Sequence, residues 1–110
     1  MKMTIKISML LVVLLLPTTT VLASDGAALY KKSCAKCHGA DGTAKTKMGK
    51  KLKCRDLSDP AVQAKLTDAQ IAKSIVEGVK EGDKTRMKPV KGLSQADVDA
   101  LVKYVRTLKK

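Results

Sequence analysis

Cys34, Cys37 and His38 place two thiols and the chain's single imidazole within five consecutive positions, in the stretch Ser33-Cys34-Ala35-Lys36-Cys37-His38-Gly39. Side chains of these types, this close, serve three chemistries. With Cys54 as a fourth donor they make the ligand count of a structural zinc site. The spacing opposes that reading, because adjacent Cys37 and His38 rarely aim at one metal and two well-separated ligand pairs are missing. A Cys-x-x-Cys pair can also cycle between dithiol and disulfide, as at the helix start of a strand–helix–strand unit. No such unit is visible here, and His38 would be a coincidence. The third chemistry is covalent attachment of haem. Two thiols three positions apart can each add to one of the two vinyl groups on the porphyrin edge, and the next residue then carries its imidazole below the ring, within reach of iron.

The ends of the chain and its composition favour the third reading. Lys2 and Lys6 precede residues 7–16, in which only Ser8 is polar; Pro17 follows, and Val21-Leu22-Ala23 supplies the small or modest side chains a signal peptidase reads. This is the three-part pattern of a secretory signal, and it is short for a spanning helix, which needs about 20 apolar residues. An uncleaved anchor is the alternative. Cleavage after Ala23 divides the chain into a signal peptide, 1–23, and one domain, 24–110, of 87 residues. A domain this small needs a staple, since its core alone supplies about 3–5 kcal/mol. It has no Phe and no Trp, and Tyr30 and Tyr104 are its aromatics. The three cysteines are an odd number and exclude a complete disulfide framework. A bound cofactor is the better staple, and thioether formation would consume two thiols and leave Cys54 free.

The formal net charge is +12; subtracting Lys2 and Lys6 leaves +10 for 24–110. Lysines run through Lys45, Lys47, Lys50, Lys51 and Lys53, and again through Lys80, Lys84, Lys88 and Lys91 with Arg86 among them. Such a field speeds encounter with an acidic protein or an anionic membrane surface, and salt weakens it. Export and the scarcity of stacking aromatics argue against nucleic acid.

A haem held by His38 calls for a sixth ligand. His38 is the sole histidine, so a second imidazole from this chain is excluded. Met48 and Met87 are the two methionines beyond the leader. Met48 follows His38 by ten positions, and a segment that short must climb round the ring edge; a flexible apolar cover is its plainer role. Met87 lies in Lys84-Thr85-Arg86-Met87-Lys88-Pro89-Val90, stiffened by Pro89, and is the expected distal ligand. Lysine ligation at high pH is the minor alternative.

The elements that must position these residues read as helices joined by basic loops. Ser24 or Asp25 can cap a helix ending near Ser33. Residues 40–56 show no period and read as loop. Asp59-Pro60 reads as a helix start, with Pro in the first turn, running to about Leu66. Thr67-x-x-Gln70 is a capping-box pattern; Ile71, Ile75 and Val79 follow at helical spacing, and Gly78 is the stop. Residues 79–93 read as a second loop. Ser94-x-x-Asp97 opens a last helix whose face is Val98, Leu101, Val102, Val105 and Leu108. No strand pattern and no repeat is visible. The expected fold class is all-α, with about four helices and two long loops, and loops of that length are usually functional or disordered.

With these residues in place, the chain resembles the small class I monohaem cytochromes c over most of residues 25–108. Gly26 and Tyr30 match the pair on the family's first helix, Leu101 and Tyr104 the pair on its last, and Cys37-His38-Gly39-Ala40-Asp41-Gly42 its Cys-His-Gly-x-x-Gly. The resemblance implies the cytochrome c fold around one covalently attached haem c, with Cys34 and Cys37 as thioethers, His38 as proximal ligand and Met87 as distal ligand. It also implies one-electron transfer between redox partners, not catalysis, in the periplasm or another extracytoplasmic space. A haem subunit of a larger redox complex, and a haem protein with a labile sixth ligand that binds small gases or peroxide, are the alternatives. Two departures stand out. Gly49-Lys50-Lys51-Leu52 replaces Gly-Pro-x-Leu, leaving the Lys50 carbonyl to accept the proximal His N–H, and Met87-Lys88-Pro89 is one residue longer than Met-Pro. Cys54 has no family role. Lys51, Lys53 and Arg55 would favour its thiolate, and it reads either as a small buried residue or as the link of a disulfide-bonded dimer.

Overall fold

The computed structural model describes residues 3, 10–17 and 24–110. Residues 18–23, with the expected cleavage site, and most of 1–9 lie outside the described residues. Residues 10–17 have no regular secondary structure, and Leu10 to Leu16 are 72–90% exposed. No helix among the described residues is long and apolar enough to cross a membrane.

Six helices and one hairpin follow: α1 Gly26–Ser33, α2 Ala35–His38, α3 Lys47–Leu52, α4 Pro60–Lys65, α5 Asp68–Glu77, strands β1 Val79–Glu81 and β2 Lys84–Met87, and α6 Gln95–Thr107. The expected caps are present. Asp25 accepts from the Ala28 N–H, and Asp59 from the Ala61 N–H one residue past Pro60. Full capping boxes open α5 at Thr67/Gln70 and α6 at Ser94/Asp97. Each satisfies amides that the first helical turn otherwise leaves unpaired.

The core forms where α1 crosses α6. Gly26 meets the Ala100 carbonyl so closely that a methyl group would run into it. One turn on, Tyr30 is 2% exposed, with its ring centroid 5.0 Å from that of Tyr104 at a tilt of 48°. Val98, Leu101, Val102 and Val105 bury the expected face of α6, and Ile71 and Ile75 that of α5.

Two expectations are corrected. The segment 40–56 contains α3, capped by Thr46, whose hydroxyl accepts from the Gly49 N–H at 2.9 Å. Its central Gly49 has no side chain because the carbonyls of Cys37 and Ala44 occupy that space. A glycine there weakens the helical signal while making the packing possible. The segment 79–93 contains an antiparallel hairpin, pairing Val79 with Met87 and Glu81 with Lys84, with an irregularity between Val79 and Lys80. Gly82 (φ +59°) and Asp83 make its two-residue turn. That dipeptide is a hairpin signal, but the flanking strands are three and four residues long and mostly charged, so they carry no apolar alternation.

Candidate functional site

The cysteine–histidine cluster is α2 itself, entered from α1 through Cys34. Its backbone is held almost carbonyl by carbonyl. Tyr30 accepts from the Cys34 N–H (2.8 Å), and Cys34 accepts from His38 N–H (3.0 Å). The Thr46 hydroxyl donates to Cys37 (2.6 Å), the Ala44 N–H to His38 (2.8 Å), and the buried Tyr30 hydroxyl to Gly39 (2.7 Å). Two separate segments, α1 through Tyr30 and residues 44–46, therefore fix one turn of helix, as a site that must hold its donors at set positions requires.

His38 Nδ1 lies 3.2 Å from the Arg55 carbonyl. The expected partner, Lys50, is not used, because Lys50 is inside α3 and its carbonyl receives the Lys53 N–H. Lys53 then turns the chain back through a left-handed conformation (φ 53°, ψ 48°) and brings Arg55 to the imidazole. With Nδ1 so engaged, Nε2 is the nitrogen left to bind, and a carbonyl on the first nitrogen fixes the tautomer. Burial pulls the His38 pKa below its ordinary value, opposed by the Arg55 bond.

Cys34, His38 and Met87 all line one cavity of about 350 Å³, within the roughly 300–1,000 Å³ usual for cofactor sites. Leu57, Leu66, Ile71, Ile75, Leu101 and Val105 give it apolar walls, and Lys53, Arg55, Lys80 and Arg86 bring charge to its lining. Met87 comes from β2, half-buried and forty-nine positions beyond His38. Met48 is on α3 and outside the lining. Cys37 is half-buried and also outside it. Burial, then Cys37, pushes the Cys34 thiol up to about 11.

Cys54 lines the cavity, half-buried. Its thiol is pushed up, by burial first and then by Cys37, opposite to the direction that Lys51, Lys53 and Arg55 would favour. Among the described residues, no three His, Cys, Asp or Glu side chains converge as a structural zinc site would require. The donor set suits haem: the Cys34 thiol, an oriented imidazole and a thioether sulfur line an apolar-walled space, and the Cys37 thiol comes from the residue before His38.

Two residues that side-chain chemistry did not mark support this site: Arg55 through its carbonyl, and Gly49 through the space it leaves for the Cys37 and Ala44 carbonyls.

The sequence model of the cytochrome c family matches residues 23–109. Among solved structures, the chain is similar to the KustC0563 c-type cytochrome, with 40% identity over 78% of this chain and 99% of that one, at a TM-score of 0.68. A tyrosine-to-phenylalanine variant of that protein matches at 38% identity, 77% and 99% coverage, and a TM-score of 0.65. No curated protein matches. Fold, donor set and both comparisons agree: the chain belongs to the cytochrome c family, electron carriers that bind haem c covalently.

Proposed function

We propose that this chain is an exported, single-haem electron carrier in which Cys34 and Cys37 would tether the haem and His38 and Met87 would ligate its iron. The observation that supports it is the sharing of one apolar-walled cavity by Cys34, His38 and Met87, donors from the start of the domain and from a distant hairpin. Haem supplies one-electron redox chemistry, and His/Met ligation favours the reduced state relative to other ligand pairs.

The chain's residues supply the rest. Arg55 holds His38 in one tautomer. The aliphatic wall excludes water, and the paired strands carry Met87 to the cavity. With His38 and Met87 both held by the haem iron, no position on it would remain for substrate, which fits a carrier better than an enzyme. The cationic residues at the lining, with the wider lysine field, fit redox partners with acidic docking surfaces, and allow peripheral contact with an anionic membrane. Cleavage after Ala23 would deliver residues 24–110 to the periplasm or an equivalent space, and the mass of the purified protein reports that N-terminus.

The deciding experiment is the visible spectrum of the mature protein, oxidised and reduced. A six-coordinate low-spin haem is expected, with the far-red band of Met–iron bonding in the oxidised form. Met87→Ala should abolish that band and open the iron to small ligands, while Met48→Leu should leave it unchanged. A five-coordinate wild-type haem, or a band surviving Met87→Ala, would overturn the ligand assignment.

A further inference from the structure

We propose that Gly78 is the positioning residue of the distal ligand: its bare Cα is the seat on which the backbone of residues 87–89 rests. The inference rests on the reading that Met87 binds iron. Gly78 ends α5 with φ +75° and ψ −174°, a region essentially reserved for glycine. Conformation is only half of what it supplies. A methyl group at Gly78 would lie 2.5 Å from the Met87 carbonyl oxygen, 2.8 Å from Pro89 N and 2.9 Å from Pro89 Cδ. Contacts this short are with backbone and a ring, which cannot swing aside. Gly82, at the hairpin tip, also has positive φ (+59°), but a methyl group there meets nothing within 4 Å. The two glycines share a positive φ, and only Gly78 adds a steric need.

Two further contacts tie the same segment to the end of α5 and to the start of β1. Val79, the next residue, pairs with Met87 across the hairpin. The Val90 N–H donates to the Ile75 carbonyl at 2.8 Å. The Met87 backbone is thus held at its own residue and three positions later, with Gly78 between the two anchor points, Ile75 on α5 and Val79 on β1.

The consequence is thermodynamic. While Met87 is bound, the segment lies on Gly78; once Met87 leaves, the segment can lift. A side chain at position 78 penalises the bound form more than the released one, and so shifts the equilibrium toward release. Gly78 in this way sets how well Met87 competes with an outside ligand, without touching iron.

Imidazole competition on the oxidised haem protein tests this. Gly78→Ala should raise the apparent imidazole affinity about tenfold or more, equivalent to about 1.4 kcal/mol, and weaken the Met–iron band, with the helical circular dichroism retained. Gly82→Ala, which carries backbone strain without the collision, should stay within about twofold of wild type. An unchanged affinity in Gly78→Ala, or an equal shift in both variants, overturns the inference. If Gly78→Ala does not accumulate as haem protein, amide exchange at Val90 in the wild type decides. Saturating imidazole should reduce Val90 protection, and unchanged protection would show that the segment stays seated when Met87 leaves. A wild type lacking the Met–iron band, or a Met87→Ala variant binding imidazole no tighter than wild type, would instead remove the ligand assignment, and this inference with it.

Discussion

His38 shows what a single residue's chemistry reveals and what it hides. Its type and its place after Cys37 announce a ligand, and Met87 is legible for the same reason: few side chains can bind iron. The group that orients His38 was not legible. It is the Arg55 carbonyl, and every residue has a carbonyl, so no side-chain pattern marks it. Lys53 determines that contact at one remove. It is a non-glycine residue with positive φ, closing α3 two positions before Arg55. A left-handed conformation costs such a residue about 1 kcal/mol, which glycine avoids. Lys53→Gly should therefore raise the denaturant midpoint of the haem protein by an amount equivalent to about 0.5–1 kcal/mol, with its visible spectrum unchanged. A lowered midpoint would show that the lysine side chain contributes more than its conformation costs.

At the scale of elements, helix starts were legible because caps are local. Asp59-Pro60, Thr67-x-x-Gln70 and Ser94-x-x-Asp97 each form the contacts their sequence announces. The hairpin and α3 were not legible, since each is too short to show a period and each exists to bring backbone against the site. The joint between α4, α5 and α6 was likewise invisible, being polar and long-range. Arg106 donates to the Gln63 carbonyl and Oε1 (2.8 Å each) and to the Leu66 carbonyl (2.6 Å), and pairs with Asp68 at 2.8 Å. Gln63, 5% exposed, donates in turn to the carbonyls of Leu57 and Val105. Several partly buried acceptors depend on one guanidinium. Arg106→Ala should cost about 2–3 kcal/mol in denaturant unfolding of the haem protein. Asp68→Ala removes only the ion pair with a largely exposed carboxylate and should cost less than about 1 kcal/mol. Equal losses would mean that the charge pair, and not the carbonyl contacts, holds the joint.

At the scale of the whole molecule, composition had already said that the core is incomplete. Without Phe or Trp, the buried hydrophobic set is Tyr30, Cys34 and aliphatic side chains no larger than Leu or Ile. Ile71, Ile75, Leu101 and Val105 belong to that core and also face the cavity. The protein part of the domain is therefore a shell around a space of about 350 Å³ that is partly open to solvent. With no cofactor in that space, its aliphatic lining meets water and loses the apolar burial that would hold the shell together. The net charge of +10 on residues 24–110 further opposes a compact state lacking cofactor. A Cys34→Ser, Cys37→Ser variant of the mature chain, produced without haem, should show little cooperative thermal transition by far-ultraviolet circular dichroism, whereas the haem protein should melt cooperatively. A sharp transition in the haem-free variant would show that the aliphatic shell folds by itself, and the missing aromatics would then need another explanation.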